Sequence, residues 1–439
     1  MARRKRLPDT PFEAQIERLA PDGSGVLHHE GGKLKAFGTL PAETISAKYR
    51  FGRQFRGQVQ VLEVLQASPQ RVPAPCAHFG TCGGCALQHI DYPAQLAFKQ
   101  DLLMGLLERA VSGHSFELLS PLSAGPWGYR RKARFSVRDV PAKGRVLVGF
   151  REQDRRFVAE IADCLVLEPR LAAALPELSE LLGRLEARAS IPQIEAACGD
   201  QRCALVFRHL HDLSEADLGA LRDYARSSGF DVWLQPGGPS TVQLLEGSAD
   251  LHYRLPDYAL EFHFGPMDFI QVNAGLNALM IGQALTQLQA GPGDRVLDLF
   301  CGLGNFSLPL ARRCFEVVGL EGDADLVARA AANAAHNGIV NARFQQADLY
   351  AESTDGAWPD GSFSHVLLDP PRSGAAPVLA RLAASGARRL VYVSCNPETL
   401  ASDAAALVGE HGFSLTAAGV MDMFPQTAHA EAMAVFTRT

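Results

Sequence analysis

The chain has 439 residues, 42 Lys or Arg against 48 Asp or Glu, a net charge of −6 and 47% hydrophobic residues. This is the composition of an ordinary soluble globular protein. No run approaches about 18 apolar residues, which excludes a membrane span, and a chain this long forms a core without needing disulfides.

At roughly 150 residues per domain, two to four domains are expected. The first residues, Met-Ala-Arg-Arg-Lys-Arg-Leu-Pro, are basic with no apolar stretch after them, so no secretory signal is expected. The expected compartment is the cytoplasm, where thiols stay reduced. Nine cysteines there suggest metal binding, catalysis or buried small hydrophobes. The net charge alone argues against nucleic acid, but its distribution reverses that. Residues 1–60 hold eleven Lys or Arg against six Asp or Glu. A basic end on an acidic chain is a candidate polyanion-binding module, although residues 1–7 alone could equally be a solvated tail.

Residues 11–66 read as short strands with turn signals at Asp22-Gly23 and Gly31-Gly32, the pattern of a small β-barrel. Within it, Tyr49, Phe51 and Phe55 interleave with Arg50, Arg53 and Arg56. Aromatic faces that stack on bases, beside cations that meet phosphates, suit single-stranded or irregular RNA. A Pro-rich linker, 68–76, leads to CAHFGTCGGC, which spaces Cys76, Cys82 and Cys85 as C-x5-C-x2-C. Three cysteines are one short of a tetrahedral zinc or a cubane cluster, and the spacing leaves both open. Residues 93–112 have helical spacing, with Leu96, Leu103, Leu106 and Leu107 on one side; a helix over about 93–125 could pack on the catalytic domain. From Tyr129 to Leu255 the pattern mixes strand and helix. In RRKARFSVR the alternation puts Lys132, Arg134, Ser136 and Arg138 on one strand face. With no acidic residue from Arg130 to Arg138, that face reads as phosphate-facing, against a bland alternative of a solvated strand.

From about 265 onward short buried-type strands alternate with helices, a doubly wound α/β domain. In VLDLFCGLGNFSLPLA a strand meets a helix through Gly302 and Gly304. Ser307 stands where a dinucleotide loop has its third Gly, and Asp298 precedes the glycines. A carboxylate there suits the ammonium of S-adenosylmethionine better than a pyrophosphate. Glu321 ends the next strand and can bind ribose hydroxyls, Asp348 can meet the adenine edge, and Asp369 ends the fourth. Pro370 and Pro371 fix the turn that aims Asp369 into the cleft, and Arg372 follows where amino-methylating enzymes carry Tyr or Phe. Cys395 ends a further strand before the Asn396-Pro397 turn, where open α/β sheets place ligands. A thiolate there could add to carbon 6 of uracil, making carbon 5 nucleophilic toward a sulfonium methyl. A separate base must then remove the carbon 5 proton. Glu431 is the candidate, with His429 nearby to orient.

DLFCGLGNFSL, LLDPPRSG, VYVSCNPETL and the C-terminal HAE together resemble the RNA uracil-5-methyltransferase family over the whole chain. The resemblance implies a TRAM RNA-binding β-barrel (OB-like) over 8–67 and a central α+β domain with cluster cysteines over 68–264. An S-adenosylmethionine-dependent, Rossmann-like α/β methyltransferase domain would follow over 265–439. It implies Cys164, in IADCLVLEP, as the fourth ligand of a [4Fe–4S] cluster with Cys76, Cys82 and Cys85. It implies Gln271, Phe300, Asn305, Glu321, Asp348 and Asp369 at the cofactor, Cys395 as nucleophile, Glu431 as base, and Arg134 within an RNA-contacting stretch. Cys198, Cys203, Cys301 and Cys314 match no such role and read as structural. Members acting on transfer RNA lack both the barrel and the cluster cysteines, and another ribosomal branch lacks the barrel. A chain with both resembles the branch acting on 23S ribosomal RNA at a uridine-1939 type of site. No obligatory protein partner is implied, and a monomer is expected. Rival readings are the same chemistry on another uridine, a cluster-based redox module, and an RNA-binding module without turnover.

Overall fold

The computed structural model describes residues 9–52, 55–351 and 358–438. The basic stretch 1–8 and Arg53 therefore lie outside the described residues.

The N-terminal segment forms one six-stranded sheet. Its order is Phe12–Gln15, Thr44–Tyr49, Gln58–Gln66, Gly32–Ala36, Gly25–His29, Arg18–Leu19. Inward residues of alternate positions give it its own core of Ile16, Leu27, Leu34, Ala36, Ile45, Ala47, Tyr49 and Val59. That alternation corrects the aromatic reading. Ile45, Ala47 and Tyr49 share the buried face, so Tyr49 packs against Phe12 rather than offering a face to a base. Arg50 covers the Phe55 ring at 3.6 Å, and Phe51 stays exposed. The stretch read as a linker is anchored: Arg71 donates to the fully buried Glu43 and to the Gly38 carbonyl.

A second six-stranded sheet runs Gln243–Glu246, Asp231–Gln235, Cys203–Arg208, Gln193–Cys198, Lys132–Val140, Arg145–Gly149. Helices Pro169–Arg184 and Glu215–Ser228 contribute to its core. Cys198 and Cys203 oppose each other in the ladder and are joined by a disulfide, which the expectation of reduced thiols did not include.

The third sheet has eight strands. Its order is Ala342–Gln346, Glu316–Glu321, Arg295–Leu299, His365–Leu368, Arg389–Ser394, Glu431–Thr437, Ser414–Met421, Glu117–Leu118. The first five are parallel, and Glu431–Thr437 runs antiparallel between its neighbours. The helix expected over about 93–125 runs only from Tyr92 to Ala110. Residues 117–118 instead form the edge strand beside 414–421. The helix packs on Pro397–Gly409 and on that same strand, so the helix and edge strand belong to the C-terminal sheet although the next strand of that sheet begins only at Arg295. The chain order reverses between Arg295–Leu299 and His365–Leu368, the switch point where such sheets open a ligand crevice. No helix among the described residues is long and apolar enough to cross a membrane.

Candidate active site

The crevice is built from strand ends. Asp298 sits on the strand Arg295–Leu299, and the chain then turns through Phe300, Gly302 and Gly304, all at positive φ. Glycine adopts that backbone freely, whereas Phe300 at φ 63° is held there against its own preference. Asp298 is buried, and its Oδ2 accepts from the Ser307 hydroxyl at the start of the next helix. Ser307 breaks the dinucleotide pattern because it grips this carboxylate, a role that spacing alone did not reveal. Oδ1 of Asp298 is buried with no hydrogen-bond partner. Burial pushes Asp298 up to about 7, with Asp369 and Glu321 adding to the rise.

Glu321 ends the neighbouring strand. Its Oε2 accepts from Gly302 N (3.0 Å) and its Oε1 from Asp323 N (3.1 Å), which fixes the carboxylate beside the glycine turn. Asp348 follows the strand Ala342–Gln346 and accepts from Tyr350 N at 2.9 Å. The Tyr350 ring lies 5.8 Å from that of Phe300. Asn305 exchanges two hydrogen bonds with Asn277 and accepts a third from Tyr253 (2.8 Å). Asp369 follows His365–Leu368, and Gln271 Nε2 stands 3.4 Å from its Oδ2. Burial, then Glu431, raises Asp369 far above an ordinary carboxyl. Of the expected cofactor residues, Gln271 meets Asp369, and the buried Asp298 lies close enough to Asp369 and Glu321 to feel both charges, whereas Asp348 is exposed.

Cys395 follows Ser394, the last residue of its strand. In the antiparallel ladder Ser394 pairs with Ala432, which sets Cys395 alongside Glu431. Burial, then Glu431 and Asp369, pushes the Cys395 thiol up to about 11, and Arg372 opposes the rise. Burial likewise pushes Glu431 up to about 7, again opposed by Arg372. Cys395 opens into a cavity of about 210 Å³ lined also by Arg372, Asn396, His429, Leu106 and Pro21. Arg372 lies 3.3 Å from His429 Nδ1, which burial and then this guanidinium hold below the usual histidine range. His429 precedes the strand that Glu431 begins and lines the cavity with Cys395. Two wall residues were not found from sequence. Arg372 was read only as an argument against adenine, and Pro21 comes from the N-terminal sheet, more than 370 residues away in the chain.

Cys76, Cys82, Cys85 and Cys164 line one separate pocket with Phe79, Phe150 and Gln88. Burial pushes Cys85 up to about 12 and Cys164 to about 11, and neighbouring sulfurs raise both further. No three of these four sulfurs lie within 4.8 Å of one another among the described residues. A single tetrahedral zinc with bonds of about 2.3 Å would draw them to roughly 3.8 Å.

The cationic strand is less free than its local sequence suggested. Lys132 to Arg138 do alternate outward, but Arg134 pairs with Glu195, its ladder neighbour on the next strand. Lys132 donates to the Asp268 carbonyl. Tertiary pairing supplied partners that a window of nine residues cannot show.

A family model described as tRNA (uracil-5-)-methyltransferase matches residues 92–439. The 23S rRNA (uracil(1939)-C(5))-methyltransferase of Alkalilimnicola ehrlichii is 50% identical over 438 residues, covering 99% of this chain and 98% of that protein. Its counterpart from Stenotrophomonas maltophilia is 50% identical over 443 residues, covering the whole of both. Among solved structures, the Pyrococcus abyssi tRNA (uracil-54, C5)-methyltransferase in complex with S-adenosyl-L-homocysteine superposes with a TM-score of 0.75 at 22% identity. It covers 97% of this chain and 100% of that one. The fold of that neighbour is the fold of this chain.

Proposed function

We propose that this chain, which belongs to the tRNA (uracil-5-)-methyltransferase family, methylates carbon 5 of a uracil in 23S ribosomal RNA at the position-1939 type of site. The observation that carries the chemistry is the pairing of Cys395 with the buried Glu431 at the ends of two adjacent strands, with Asp369 near enough for its charge to act on the thiol. The choice of 23S rRNA rests on relatives that are named for that reaction and align over the full chain.

S-adenosylmethionine brings a sulfonium and an ammonium; burial holds the Asp298 and Asp369 carboxyls up, and a cationic ligand seated beside them favours their ionised forms. The unpartnered Oδ1 of Asp298 is the acceptor left for the ammonium, and Glu321 is placed for the ribose hydroxyls. Gln271, Phe300, Asn305 and Asp348 complete the cofactor site. The Cys395 sulfur adds to uracil carbon 6, and the electron pair moves onto carbon 5 and the carbon 4 oxygen. Carbon 5 then attacks the methyl carbon, the methyl–sulfur bond breaks, and S-adenosylhomocysteine leaves. Glu431 takes the carbon 5 proton, the double bond re-forms, and the Cys395 thiolate is expelled. Arg372 opposes the upward shift of both groups, so it favours their charged, reactive forms.

The N-terminal sheet serves as a TRAM-type RNA-binding barrel. The basic residues that precede it in the sequence and the seat of Pro21 on the cavity wall support this, since RNA held there reaches the nucleophile. A target base enters a cavity of this kind only after leaving its stack. The protein is assigned to the cytoplasm and to a monomeric state. The test is incubation with S-adenosylmethionine and 23S rRNA lacking the modification, followed by digestion and mass spectrometry. One 5-methyluridine at position 1939 is expected. A methyl at another uridine, or on transfer RNA alone, would keep the chemistry and remove the substrate assignment.

The four-cysteine pocket is read as the seat of a [4Fe–4S] cluster, with Cys76, Cys82, Cys85 and Cys164 as ligands. The sulfur spacing exceeds what a lone zinc imposes, and the Cys82, Cys85 and Cys164 thiols, raised by burial, need a positive centre to ionise. Such a cluster would supply a covalent tie between the 76–85 segment and the loop of Cys164. Methyl transfer itself moves no net electrons, so the redox reading has no task here. Protein purified without oxygen should contain iron and labile sulfide, and Cys164→Ser should lose both. Retention of both in Cys164→Ser would overturn the ligand set.

A further inference from the structure

On the outer side of the methyltransferase domain, a hairpin lies against a helix. The hairpin strands are His252–Leu255 and Leu260–His263, and the helix is Ala324–His336. Asparagines clamp the two together. Asn337 accepts from Glu261 N at 2.9 Å and donates to its carbonyl at 2.7 Å. Asn333 accepts from His263 N at 2.9 Å and donates to its carbonyl at 3.2 Å.

Just outside this clamp three side chains converge. His263 Nε2 lies 3.1 Å and His336 Nε2 3.3 Å from the same oxygen, Glu261 Oε1. All three ligand atoms fall within 4.8 Å of one another, and the two imidazoles meet edge to face with centroids 4.6 Å apart. His263 Nε2 is nevertheless buried without a hydrogen bond. Atoms that converge without bonding one another are arranged around a point rather than toward each other.

We propose that His263, His336 and Glu261 form a zinc-type transition-metal site that staples the hairpin to this helix. Two imidazole nitrogens and one carboxylate oxygen are a donor set suited to zinc, with a fourth position left for water.

The surroundings are those of a metal site. Asp250 Oδ1 lies 3.4 Å from His263 Nδ1, the other ring nitrogen, and its charge favours a proton there, which leaves Nε2 to ligate. His252 Nδ1, 3.3 Å from the same oxygen, helps hold Asp250 in place. Arg254 Nε binds the second oxygen of Glu261 at 2.7 Å. Arg254 therefore orients the carboxylate and leaves Oε1 facing the histidines. The cation would neutralise no other charge of the catalytic crevice, and the cavity that holds Cys395 is lined by none of these residues.

The test uses the full-length holoprotein, stripped of loosely bound metal and titrated calorimetrically with zinc ion. His336→Ala, Asp250→Asn and the unaltered chain are compared. His336 and Asp250 are about half exposed, so both variants should fold. The cysteine pocket is identical in all three and cancels in the comparison. The unaltered chain should bind one more zinc than His336→Ala, with a zinc-dependent rise in melting temperature that this variant lacks. Asp250→Asn should keep the site but bind roughly 10- to 100-fold more weakly, the usual loss when a partner behind a metal-bound histidine is removed. Equal zinc stoichiometry in the unaltered chain and His336→Ala overturns the proposal. So does equal affinity in Asp250→Asn, which would mark an adventitious surface contact.

Discussion

Cys395→Ala should reduce methyl transfer to 23S rRNA by roughly four to six orders of magnitude, the scale seen when a covalent nucleophile is removed from an enzyme. The expectation follows from the substrate. Carbon 5 of uracil is a weak nucleophile, and no other group lining the cavity, from Arg372 to His429, can add to carbon 6 and withdraw again. Cofactor binding should survive, because the Asp298, Glu321 and Asn305 contacts do not involve the sulfur. Glu431→Gln separates the two steps. The thiol can still add and the methyl can still move, but the carbon 5 proton stays. The covalent protein–RNA adduct should then accumulate and appear as a shifted band on a denaturing gel. A variant that turns over normally with Gln at 431 would remove the residue from the mechanism.

The pH profile carries the same test. Burial pushes Glu431 up to about 7 and Arg372 opposes the shift. Below that value the carboxyl is protonated and cannot accept the carbon 5 proton; above it the base is available. The kcat/KM profile should therefore bend near pH 7, falling more steeply below it, and Glu431→Gln should remove that bend, while the Cys395 thiol, pushed up to about 11, keeps the profile rising above it. Arg372→Met removes the opposing charge, so the bend should move to higher pH.

How much of this was legible in the sequence depended on how local each feature is. The strand ends carrying Asp298, Glu321, Asp369 and Cys395 were legible because parallel buried strands are continuous apolar runs, and the residue after each run marks the cleft. The ladder that sets Cys395 beside Glu431 needed the last strand to insert antiparallel between two others, which no local pattern encodes. Ser307 was visible only as a missing glycine, since its bond to Asp298 spans nine residues of turn and helix. Arg134 looked free because Glu195 reaches it from another strand. Pro21 on the cavity wall depends on how the N-terminal sheet docks, a contact between distant parts of the chain.

The helix Tyr92–Ala110 shows the same limit and leads to the largest expected loss of stability. Its leucine spacing suggested a stripe through Leu96, Leu103, Leu106 and Leu107, but the buried face is Gln95, Lys99, Gln100, Leu103 and Leu107. Those polar residues grip the segment that leads to the catalytic strand. Lys99 Nζ, fully buried, donates to the equally buried Asp422 at 2.5 Å and to the Phe424 carbonyl at 3.1 Å. Tyr92 donates to the other Asp422 oxygen at 2.9 Å. Gln95 and Gln426 bond each other twice, and Gln100 accepts from Val420 N. Lys99→Met leaves Asp422 as a buried carboxylate without its cation, a change that costs about 3–5 kcal/mol. The loss should appear as a lower urea midpoint for the unfolding of the C-terminal domain. Adding Asp422→Leu to Lys99→Met should recover much of it, because an apolar pair of similar volume removes the unpaired charge. Activity should fall further than stability alone requires in the single variant, since residues 422–426 lead directly to His429 and Glu431. If Lys99→Met unfolds within about 0.5 kcal/mol of the unaltered chain, the range for ordinary surface substitutions, this pair is not what holds the catalytic strand in place.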